Sequence, residues 1–480
     1  MKLYYFLLLF SWGLSAQINV VPQPNEVRYH KGTCAIDTPI TYLKDAQIAH
    51  PEGYQLLIQP KKIVAKYATE AGKYYAEQTL KQLVFQAKKE RKQSLPCLTI
   101  TDAPRFAYRA LMVDPARHYW KIDDLKKYID VMSQYKFNYL HLHLNDDQGW
   151  RIEIKKYPKL TEIGSKRKNF EGSKRNNEGF YTQEQIKDLV LYALQRNVQL
   201  VPEFDVPGHS DAAIAAYPFL SCNDTLIGVR TTAGVSKNLL CVGKEEVFTF
   251  IDDVITELSA IFPCPYFHIG GDEAPMDKWL EHSPTLKLKQ SLHTTNNQQL
   301  MSEFFKRVNQ SLEKNHKRPL IWLELEVPSY PKNSVMYLWR MRTTPQVLER
   351  AKKDNFKLIC SPGEYAYFDY PQAKNDLPNV DWMPTLTLQR VYEFNPAFSL
   401  TAEEEKQYIL GVEATLWGES VKDVFRAFYM TYPRALALSE AGWTEMSKRD
   451  WQQFTQKLDL QLQYLLHKGI NYRPPVELHQ

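Results

Sequence analysis

Eight short apolar runs with the composition of β-strands recur from about residue 106 onward. They are Tyr108–Asp114, Tyr139–Leu144, Val198–Asp205, Tyr266–Asp272, Pro319–Leu323, Val335–Trp339, Lys357–Ser361 and Ile409–Ala414. Amphipathic helical patterns fall between most of them, as where Leu125, Ile129 and Met132 share one face. This alternation predicts the α/β class and a (β/α)8 TIM barrel. A doubly wound open sheet is the alternative, although no glycine-rich nucleotide loop follows the first run.

The region before these runs predicts a small α+β domain. Alternating runs at 54–58 and 63–65 precede a helical pattern from Lys73 to Phe85. A charged stretch at 87–94 and a turn at Asp102-Ala-Pro104 close the region. We therefore expect a small domain over residues 17–103 and the barrel over residues 104–480. Residues 370–408 show little regular pattern, which predicts a long loop near the carboxyl ends of the strands.

The first 16 residues have the pattern of a secretory signal peptide. Lys2 precedes an apolar run from Leu3 to Leu14, and Ser15-Ala16 forms a small-residue cleavage site. This run is too short for a typical membrane span, and no later run is apolar for 18 residues. The pattern predicts a mature protein without a membrane span, exported to the periplasm or the extracellular space.

Charge and cysteine content exclude several classes of protein. The chain has 60 Lys and Arg against 55 Asp and Glu, a net charge of +5, so no charge pattern for nucleic acid is evident. Six cysteines are too few for a disulfide scaffold of 480 residues and lack metal-site spacing. Cys222 and Cys241 are the preferred pair for a disulfide, with free thiols as the alternative.

Two adjacent acids follow the fourth apolar run, in the tetrapeptide Gly270-Gly-Asp-Glu273. The glycines allow the backbone to bend so that both carboxyl groups point into one pocket. Repulsion and burial should raise the pKa of one of them, which places a proton donor beside an anion. The alternative is an ordinary acid pair at the start of a helix before Pro275.

The ends of the predicted strands are rich in functional groups, and in a barrel such ends converge on one pocket. These groups are Arg109, Asp114, Asp146, Asp147, Glu203, Asp205, His209, Asp272, Glu273, Trp322, Glu324, Trp339, Tyr367, Asp369, Trp417 and Glu419. Carboxylates mixed with tryptophans are typical of a sugar pocket, because indole faces pack on a pyranose while charged groups bind its hydroxyls. Any single tryptophan is more consistent with a place in the core, whereas several at strand ends together favour the pocket.

Long ordered motifs make the chain resemble family 20 glycoside hydrolases, the β-N-acetylhexosaminidases. The motifs are Tyr108-Arg-Ala-Leu-Met-Val-Asp114 with Arg117-His118, Leu140-His-Leu-His-Leu-Asn-Asp-Asp-Gln-Gly-Trp-Arg151, Val201-Pro-Glu-Phe-Asp-Val-Pro-Gly-His209, His268-Ile-Gly-Gly-Asp-Glu273, Tyr367-Phe-Asp369 and Gly411-Val-Glu-Ala-Thr-Leu-Trp-Gly-Glu419. The resemblance covers nearly the whole mature chain. It implies a catalytic barrel, no cofactor and no metal, and a glycan with a terminal N-acetylhexosamine as the substrate.

The resemblance also implies a retaining mechanism in which the sugar's own 2-acetamido oxygen attacks C1. Glu273 would be the general acid and then the general base. Asp272 would accept a hydrogen bond from the acetamido N–H and stabilise the oxazolinium intermediate, while Tyr367 would donate to the acetamido carbonyl. Asp146 and His209 resemble a pair linked to the general acid.

Further residues match family positions that hold the sugar. Trp322, Trp339 and Trp417 resemble the walls around the acetamide and the ring. Arg109, Asp369 and Glu419 match positions that bind the ring hydroxyls. The spacing between Trp322 and Glu324 departs from the family pattern, so it stays open whether Glu324 reaches the sugar.

Three other functions remain as alternatives. His141-Leu-His143 resembles the metal signature of an amidohydrolase-type barrel, because strand alternation puts both imidazoles on one face. A sugar-binding protein without turnover is the second, although it would not need a proton donor. The third is a relative that releases a disaccharide, of the lacto-N-biosidase type, which would need a deeper pocket.

Overall fold

The computed structural model describes residues 18–168, 177–340, 342–378 and 383–475. The signal peptide predicted for residues 1–16 lies outside them. The chain forms two compact units, one of residues up to Ala103 with Gln452–Tyr464, and one of Pro104–Trp451 with residues from Leu465 onward. The sequence interpretation had assigned all of 104–480 to the barrel. The late segment Gln452–Tyr464 corrects it, because this segment packs into the first unit.

The first unit is a small α+β domain, as predicted. Its sheet has the order β1-β5-β3-β4-β2, with strands β1 (Glu26–Ala35), β2 (Ile40–Lys44), β3 (Tyr54–Gln59), β4 (Lys62–Tyr67) and β5 (Ser94–Asp102). The helix Glu70–Lys89 packs on β3 and β4 and buries Tyr75 and Leu83. The hydroxyl of Tyr54 lies 2.7 Å from Thr79 of the helix and donates to Asp102 of β5, also at 2.7 Å. These two contacts join the sheet to the helix.

The second unit contains a closed barrel of eight parallel strands, which confirms the predicted fold. The strands are β6 (Tyr108–Val113), β7 (Tyr139–His143), β8 (Gln199–Glu203), β9 (Tyr266–His268), β10 (Arg318–Trp322), β11 (Val335–Leu338), β12 (Lys357–Cys360) and β13 (Ile409–Ala414). Each pairs with its neighbour along the chain, and β13 closes the barrel on β6. All eight predicted runs therefore form the strands of the barrel.

Helices connect most of the strands. They span Ile122–Gln134, Lys159–Glu162, Gln183–Leu194, Asp211–Ala216, Glu245–Ile261, Asp277–Leu280, Ser283–Ser291, Gln299–Lys314, Thr344–Asp354, Gly363–Ala366, Leu388–Tyr392, Ala402–Tyr408, Val424–Thr431, Arg434–Trp443 and Trp451–His467. The connection 323–334, described in full, contains no helix. The predicted long loop at 370–408 is wrong in part, because two of these short helices lie within it.

The barrel interior is apolar in one part and polar in another. Tyr108, Ala110, Val201, Leu320 and Val335 contribute to a buried apolar cluster. Close to this cluster, the side chains of three histidines and two glutamates of the strands are also fully buried; they are His141, His143, His268, Glu203 and Glu413. A barrel packed partly with charged groups must pair them, because an isolated buried charge is costly.

Two further predictions concern single features. Cys222 and Cys241 form a disulfide, so the preferred pairing is the one observed. Among the residues described, none of the helices has the length and apolar content needed to cross a membrane.

Candidate active site

A pocket opens at the carboxyl ends of the barrel strands. Its lining combines one arginine, one histidine, six acids and four aromatic side chains: Arg117, Asp146, Asp205, His209, Asp272, Glu273, Trp339, Tyr367, Asp369, Tyr370, Trp417 and Glu419. All of these follow the ends of barrel strands in the sequence. The pocket is therefore assembled by the geometry of parallel strands, whose carboxyl ends share one side of the barrel.

The turn after β9 depends on its two glycines. Gly270 and Gly271 have φ angles of +61° and +95°, a region that side chains disfavour. A Cβ on Gly270 would lie 1.7 Å from Asp205 Oδ1, and one on Gly271 would lie 2.6 Å from the ring of Phe305. The turn can therefore form only with glycine at these positions. It brings the two acids that follow into the pocket.

These two acids have different surroundings. Asp272 is only 7% exposed. Burial, reinforced by the charge of Glu273 and opposed by that of His209, raises the pKa of Asp272 to about 7. Within the described residues, no hydrogen-bond donor reaches Asp272 Oδ1. Glu273 keeps 39% of its side chain exposed. The pocket thus pairs a buried acceptor with an accessible carboxyl group.

His209 connects the accessible acid to a buried one. Its Nε2 lies 3.8 Å from Glu273 Oε2, and its Nδ1 lies 3.2 Å from Asp146 Oδ1. Burial alone would lower the pKa of His209, but the charges of Asp146 and Asp205 outweigh burial and raise that pKa well above its usual value. Arg117 Nη2 lies 2.8 Å from Asp146 Oδ2. Asp146 is therefore held as an anion between two cations.

A line of alternating acids and histidines continues from Asp146 into the barrel. His143 Nε2 lies 2.7 Å from Asp146 Oδ2, and its Nδ1 contacts Glu203. His141 lies between Glu203, 3.1 Å from Nε2, and Glu413, 2.8 Å from Nδ1. We call these five residues the ladder. Burial lowers the pKa of His141, but the charges of Glu413 and Glu203 prevail and raise that pKa to about 9.

Aromatic rings form the walls of the pocket. Trp417 lies 6.5 Å from Tyr367, between ring centroids, and the guanidinium of Arg117 lies over the Trp417 ring at 5.2 Å. Tyr370 packs against Tyr367 edge to face at 5.4 Å. Together with Trp339, these rings offer apolar faces on which the C–H groups of a sugar can pack.

Tyr367 and Asp369 add a donor and an acceptor. Burial, together with the neighbouring Tyr370 and Asp369, raises the pKa of Tyr367 well above its usual value, so its hydroxyl keeps the proton. Asp369 Oδ1 is buried and accepts no hydrogen bond from any described residue. An orphan buried acceptor is rare in proteins and is explained where a ligand supplies the donor.

Two predicted site residues lie elsewhere, which corrects the sequence interpretation. Arg109 stands near the amino end of β6, where it donates to the carbonyls of Lys136 and Phe106 and lies over Trp443. It faces away from the interior because strand alternation turns Tyr108 inward. Trp322 is 1% exposed and does not line the pocket; its ring packs against those of Trp339 and Trp417, and its Nε1 donates to Glu203. Nine of the eleven predicted residues line the pocket.

Three pocket residues were given no role from the sequence. Arg117 lies within the quoted motif Arg117-His118, but the hydroxyl-binding role was given to Arg109. Asp205 was noted only as a strand-end acid, and it accepts the backbone N–H of Gly271 at 3.2 Å. Tyr370 follows Asp369 directly, and nothing in its own spacing predicts a place in the pocket. For Arg117 the signal was present, since it follows the end of β6 while Arg109 precedes it.

The surroundings of His143 do not support the metal interpretation, although His141, Glu203 and His268 bring three possible ligand atoms within 4.8 Å of one another. Both ring nitrogens of His143 face carboxylates, Glu203 on one side and Asp146 on the other. A ring flanked in this way holds a proton on each nitrogen and has no lone pair to offer a metal. The acids here serve as charge partners for the imidazoles.

Comparison with known proteins agrees with this geometry. The chain is 38% identical to a β-hexosaminidase of Akkermansia muciniphila over 95% of this chain and 92% of that protein. It is 36% identical to a β-hexosaminidase of Porphyromonas gingivalis, of whose length it spans 59%. Its fold matches a Vibrio harveyi exo-β-N-acetylglucosaminidase in complex with N-acetylglucosamine, with a TM-score of 0.86, 30% identity, and 95% and 78% of the two chains covered.

Two family models match most of the chain. The model for the catalytic domain of glycosyl hydrolase family 20 matches residues 106–446, which contain the barrel and the pocket. The model for domain 2 of the same family matches residues 36–103, within the first unit. The chain therefore belongs to glycosyl hydrolase family 20.

Proposed function

We propose that the protein is an exo-acting, retaining β-N-acetylhexosaminidase that removes terminal non-reducing N-acetylhexosamine from glycans. One observation carries this proposal. Asp272 presents a buried oxygen to which no described residue donates, in the same pocket as the protonated hydroxyl of Tyr367 and the accessible carboxyl of Glu273. An acetamido group offers both an N–H for the first and a carbonyl for the second. A sugar with a plain 2-hydroxyl lacks this pair of groups.

Catalysis begins with attack by the acetamido oxygen on C1 of the sugar. Asp272 accepts the acetamido N–H and orients the carbonyl, while Tyr367 donates to that oxygen. Glu273 protonates the departing glycosidic oxygen, so the bond from C1 breaks without release of an alkoxide. The oxazolinium that forms carries positive charge beside Asp272, and nearby negative charge stabilises it.

The second step uses the same groups in reverse. Glu273, now a carboxylate, removes a proton from water as the water attacks C1 and opens the oxazolinium. Two displacements at C1 return the original β configuration. His209 and Asp146 lie behind Glu273, so their charges bear on both of its protonation states.

The remaining pocket residues bind the sugar. Trp339 and Trp417 pack on its faces, and Asp369 and Glu419 accept its hydroxyls. Arg117 takes the place that the sequence interpretation gave to Arg109, since it lines the pocket and lies 3.9 Å from Glu419.

The test is the hydrolysis of two 4-nitrophenyl β-glycosides, those of N-acetylglucosamine and of glucose. These substrates differ only at the 2-position, and we expect rapid release from the first and none from the second. Equal rates on both would contradict the role of the acetamido group. Binding of N-acetylglucosamine without hydrolysis of either substrate would indicate a sugar-binding protein instead.

We further propose that the protein is exported and that its signal peptide is cleaved after Ala16. The support is the apolar run from Leu3 to Leu14 with its small-residue cleavage site. The Cys222–Cys241 disulfide is typical of an oxidising compartment outside the cytosol. The mass of the secreted protein should correspond to a chain that begins at Gln17, and a retained Met1 in an active, cell-associated protein would contradict this.

A further inference from the structure

A cleft beside the pocket contains a glutamate and an arginine that have not yet been given a role. Glu324 follows β10 and Arg340 follows β11, and the pairing of Trp322 with Tyr337 brings these two strand ends together. Glu324 Oε2 accepts from Arg340 Nε at 2.9 Å, and Glu324 Oε1 accepts from Arg340 Nη2 at 2.6 Å. Two parallel hydrogen bonds of this kind fix the orientation of a carboxylate.

The same carboxylate reaches the backbone of the general acid. Glu324 Oε1 accepts the N–H of Glu273 at 3.3 Å. Glu273 has a φ of +49°, a conformation that residues with side chains rarely adopt. Such a conformation persists only where surrounding contacts hold it. The hydrogen bond from the Glu273 N–H to Glu324 therefore stabilises the backbone at a residue with an unfavourable φ angle.

Glu324 is itself fixed from behind and to the side. The hydroxyl of Tyr330 accepts from the Glu324 N–H at 3.0 Å and donates to its carbonyl at 2.9 Å. The guanidinium of Arg340 lies 4.5 Å from the Trp339 ring centroid, and Trp339 Nε1 donates to Leu323. One set of contacts thus joins the backbone of the general acid to a wall of the pocket.

We infer that Glu324, held by Arg340, is a positioning residue that keeps the carboxyl of Glu273 in place for proton transfer to the leaving group. The inference rests on the proposed function, because Glu324 acts only through the proton that Glu273 donates. It answers the question that the sequence left open, since Glu324 contacts the acid and does not line the sugar pocket.

The role predicts a defect that depends on the leaving group. A displaced general acid slows the departure of an alcohol, which needs a proton, and matters little for an acidic phenol that leaves unaided. Glu324→Ala should lower kcat for N,N′-diacetylchitobiose by about 10²-fold, the usual scale for a misplaced catalytic group. For the 2,4-dinitrophenyl glycoside of N-acetylglucosamine the loss should stay below about tenfold. KM should change little for either substrate.

Matched variants separate positioning from a general effect on structure. Glu324→Gln keeps an oxygen that can accept the Glu273 N–H, so it should recover most of the chitobiose activity. Glu326→Ala removes an exposed carboxylate that lines the same cleft and should behave as the wild type. Glu273→Gln gives the limiting pattern of complete dependence on the leaving group. Inhibition by a thiazoline mimic of the oxazolinium should be equal in the wild type and in Glu324→Ala.

The outcomes distinguish the inference from the function on which it rests. Equal losses on both substrates in Glu324→Ala, or no loss on chitobiose, would overturn the inference. A wild type that hydrolyses neither acetamido substrate would overturn the proposed function instead. If Glu324→Ala does not fold, Arg340→Met provides the test, because the Arg340 side chain is 44% exposed and its loss frees the Glu324 carboxylate. It should show the same selective loss, and an equal loss on both substrates would again overturn the inference.

Discussion

Asp272 and Glu273 show how far the environment can separate two neighbouring carboxyl groups. Asp272 is buried against the barrel, so its charged form is destabilised, whereas Glu273 reaches solvent. A carboxyl group that binds a ligand N–H must be ionised to accept it best. The protonation of Asp272 therefore bears directly on substrate binding in the free enzyme.

This difference predicts the acid side of the pH profile. Because the pKa of Asp272 is raised to about 7, its carboxylate form is lost as pH falls through 7. We expect kcat/KM, measured on the 4-nitrophenyl glycoside of N-acetylglucosamine, to fall about tenfold per pH unit below that value. Asp272→Asn should have lower activity, by about 10²-fold, and should lack this dependence. Persistence of the same dependence in the variant would assign it to another group.

The glycine turn makes a second prediction at the level of single residues. Gly270→Ala would place a Cβ 1.7 Å from Asp205 Oδ1 at a φ of +61°, so we expect a loss of about 3 kcal/mol or more in unfolding free energy. Gly234→Ala is the matched control, because Gly234 has a φ of +84° but its nearest neighbour lies 3.8 Å away. Urea unfolding of both variants checks this. Equal stabilities would show that crowding at Gly270 is relieved.

The sequence placed most pocket residues but not all, and the two errors have physical causes. Arg109 was counted among strand ends although it lies near the start of β6, at the other end of the barrel. Trp322 is the last residue of β10, but its ring is buried behind Trp339 and Trp417 and its Nε1 donates to Glu203. The position of a residue along a strand can be predicted from the sequence. How deeply a side chain at the strand end is buried cannot, because neighbouring side chains determine it.

The strands of the barrel enclose a partly polar interior, which their apolar sequences do not predict. The ladder alternates negative and positive groups from Glu413 to Asp146, and His209 and Glu273 continue it into the pocket. The flanking carboxylates keep the two histidines charged, and the carboxylates are stabilised by these cations and by neutral donors such as the Tyr337 hydroxyl at Glu413. The strands are thus held together by paired charges as well as by apolar packing.

The ladder predicts how stability responds to alkaline pH. A raised histidine pKa contributes stability that is complete below the unfolded value, near 6.5, and is lost as pH rises through the folded value of about 9. For His141 alone this is on the order of 3 kcal/mol. The melting temperature should therefore fall by several degrees between pH 7 and 9.5.

Glu413→Gln provides the comparison for this measurement. Without the Glu413 charge, the pKa of His141 should be raised less, so the variant should be less stable at pH 7 and its melting temperature should depend less on pH. Groups that titrate elsewhere affect both proteins alike. If the melting temperatures of the wild type and Glu413→Gln change equally between pH 7 and 9.5, the ladder does not contribute to this pH dependence.

The eight strands could be predicted because each is a run of apolar residues with clear bounds. The helices within 370–408 are short, and their apolar pattern is weak. One carried a readable signal, since Thr401 and Glu404 form a capping box at the start of Ala402–Tyr408. The same motif at Thr182 and Gln185 begins the longer helix Gln183–Leu194, where a clear apolar pattern follows the cap. A capping motif without such a pattern does not predict a helix.

At the scale of the whole molecule, the first unit is built from two distant parts of the chain. Gln461 Nε2 donates to the carbonyl of Asn19 at 2.5 Å and to Gln82 Oε1 at 3.0 Å, and Tyr464 packs against Phe85 at 4.8 Å. A sequence read from one end to the other gives no sign of this pairing, because it joins residues more than 370 positions apart. The helix Trp451–His467 is therefore required for the first unit to be complete.

A substitution in this helix tests that requirement. Gln461→Ala removes the hydrogen bonds to the Asn19 carbonyl and to Gln82 Oε1, although the Val21 N–H still donates to that Gln82 oxygen. We therefore expect the first unit to lose about 1–3 kcal/mol of unfolding free energy. Gln463→Ala is the control, because Gln463 bonds to Asp459 within the same helix. The rate of proteolytic cleavage within residues 18–103 is the measurement. Equal cleavage in the two variants would show that the late segment does not support the unit.

The buried oxygen of Asp272 has one further consequence, for how the empty protein discriminates between ligands. An acceptor that no described residue satisfies makes the unliganded state less stable than its fold allows. A ligand that brings an N–H removes this deficit in addition to making its own contacts. N-acetylglucosamine should accordingly raise the melting temperature, whereas glucose at the same concentration should not. Selectivity for the amide group would then be visible in the melting temperature of the complex, before any bond of the ligand is broken.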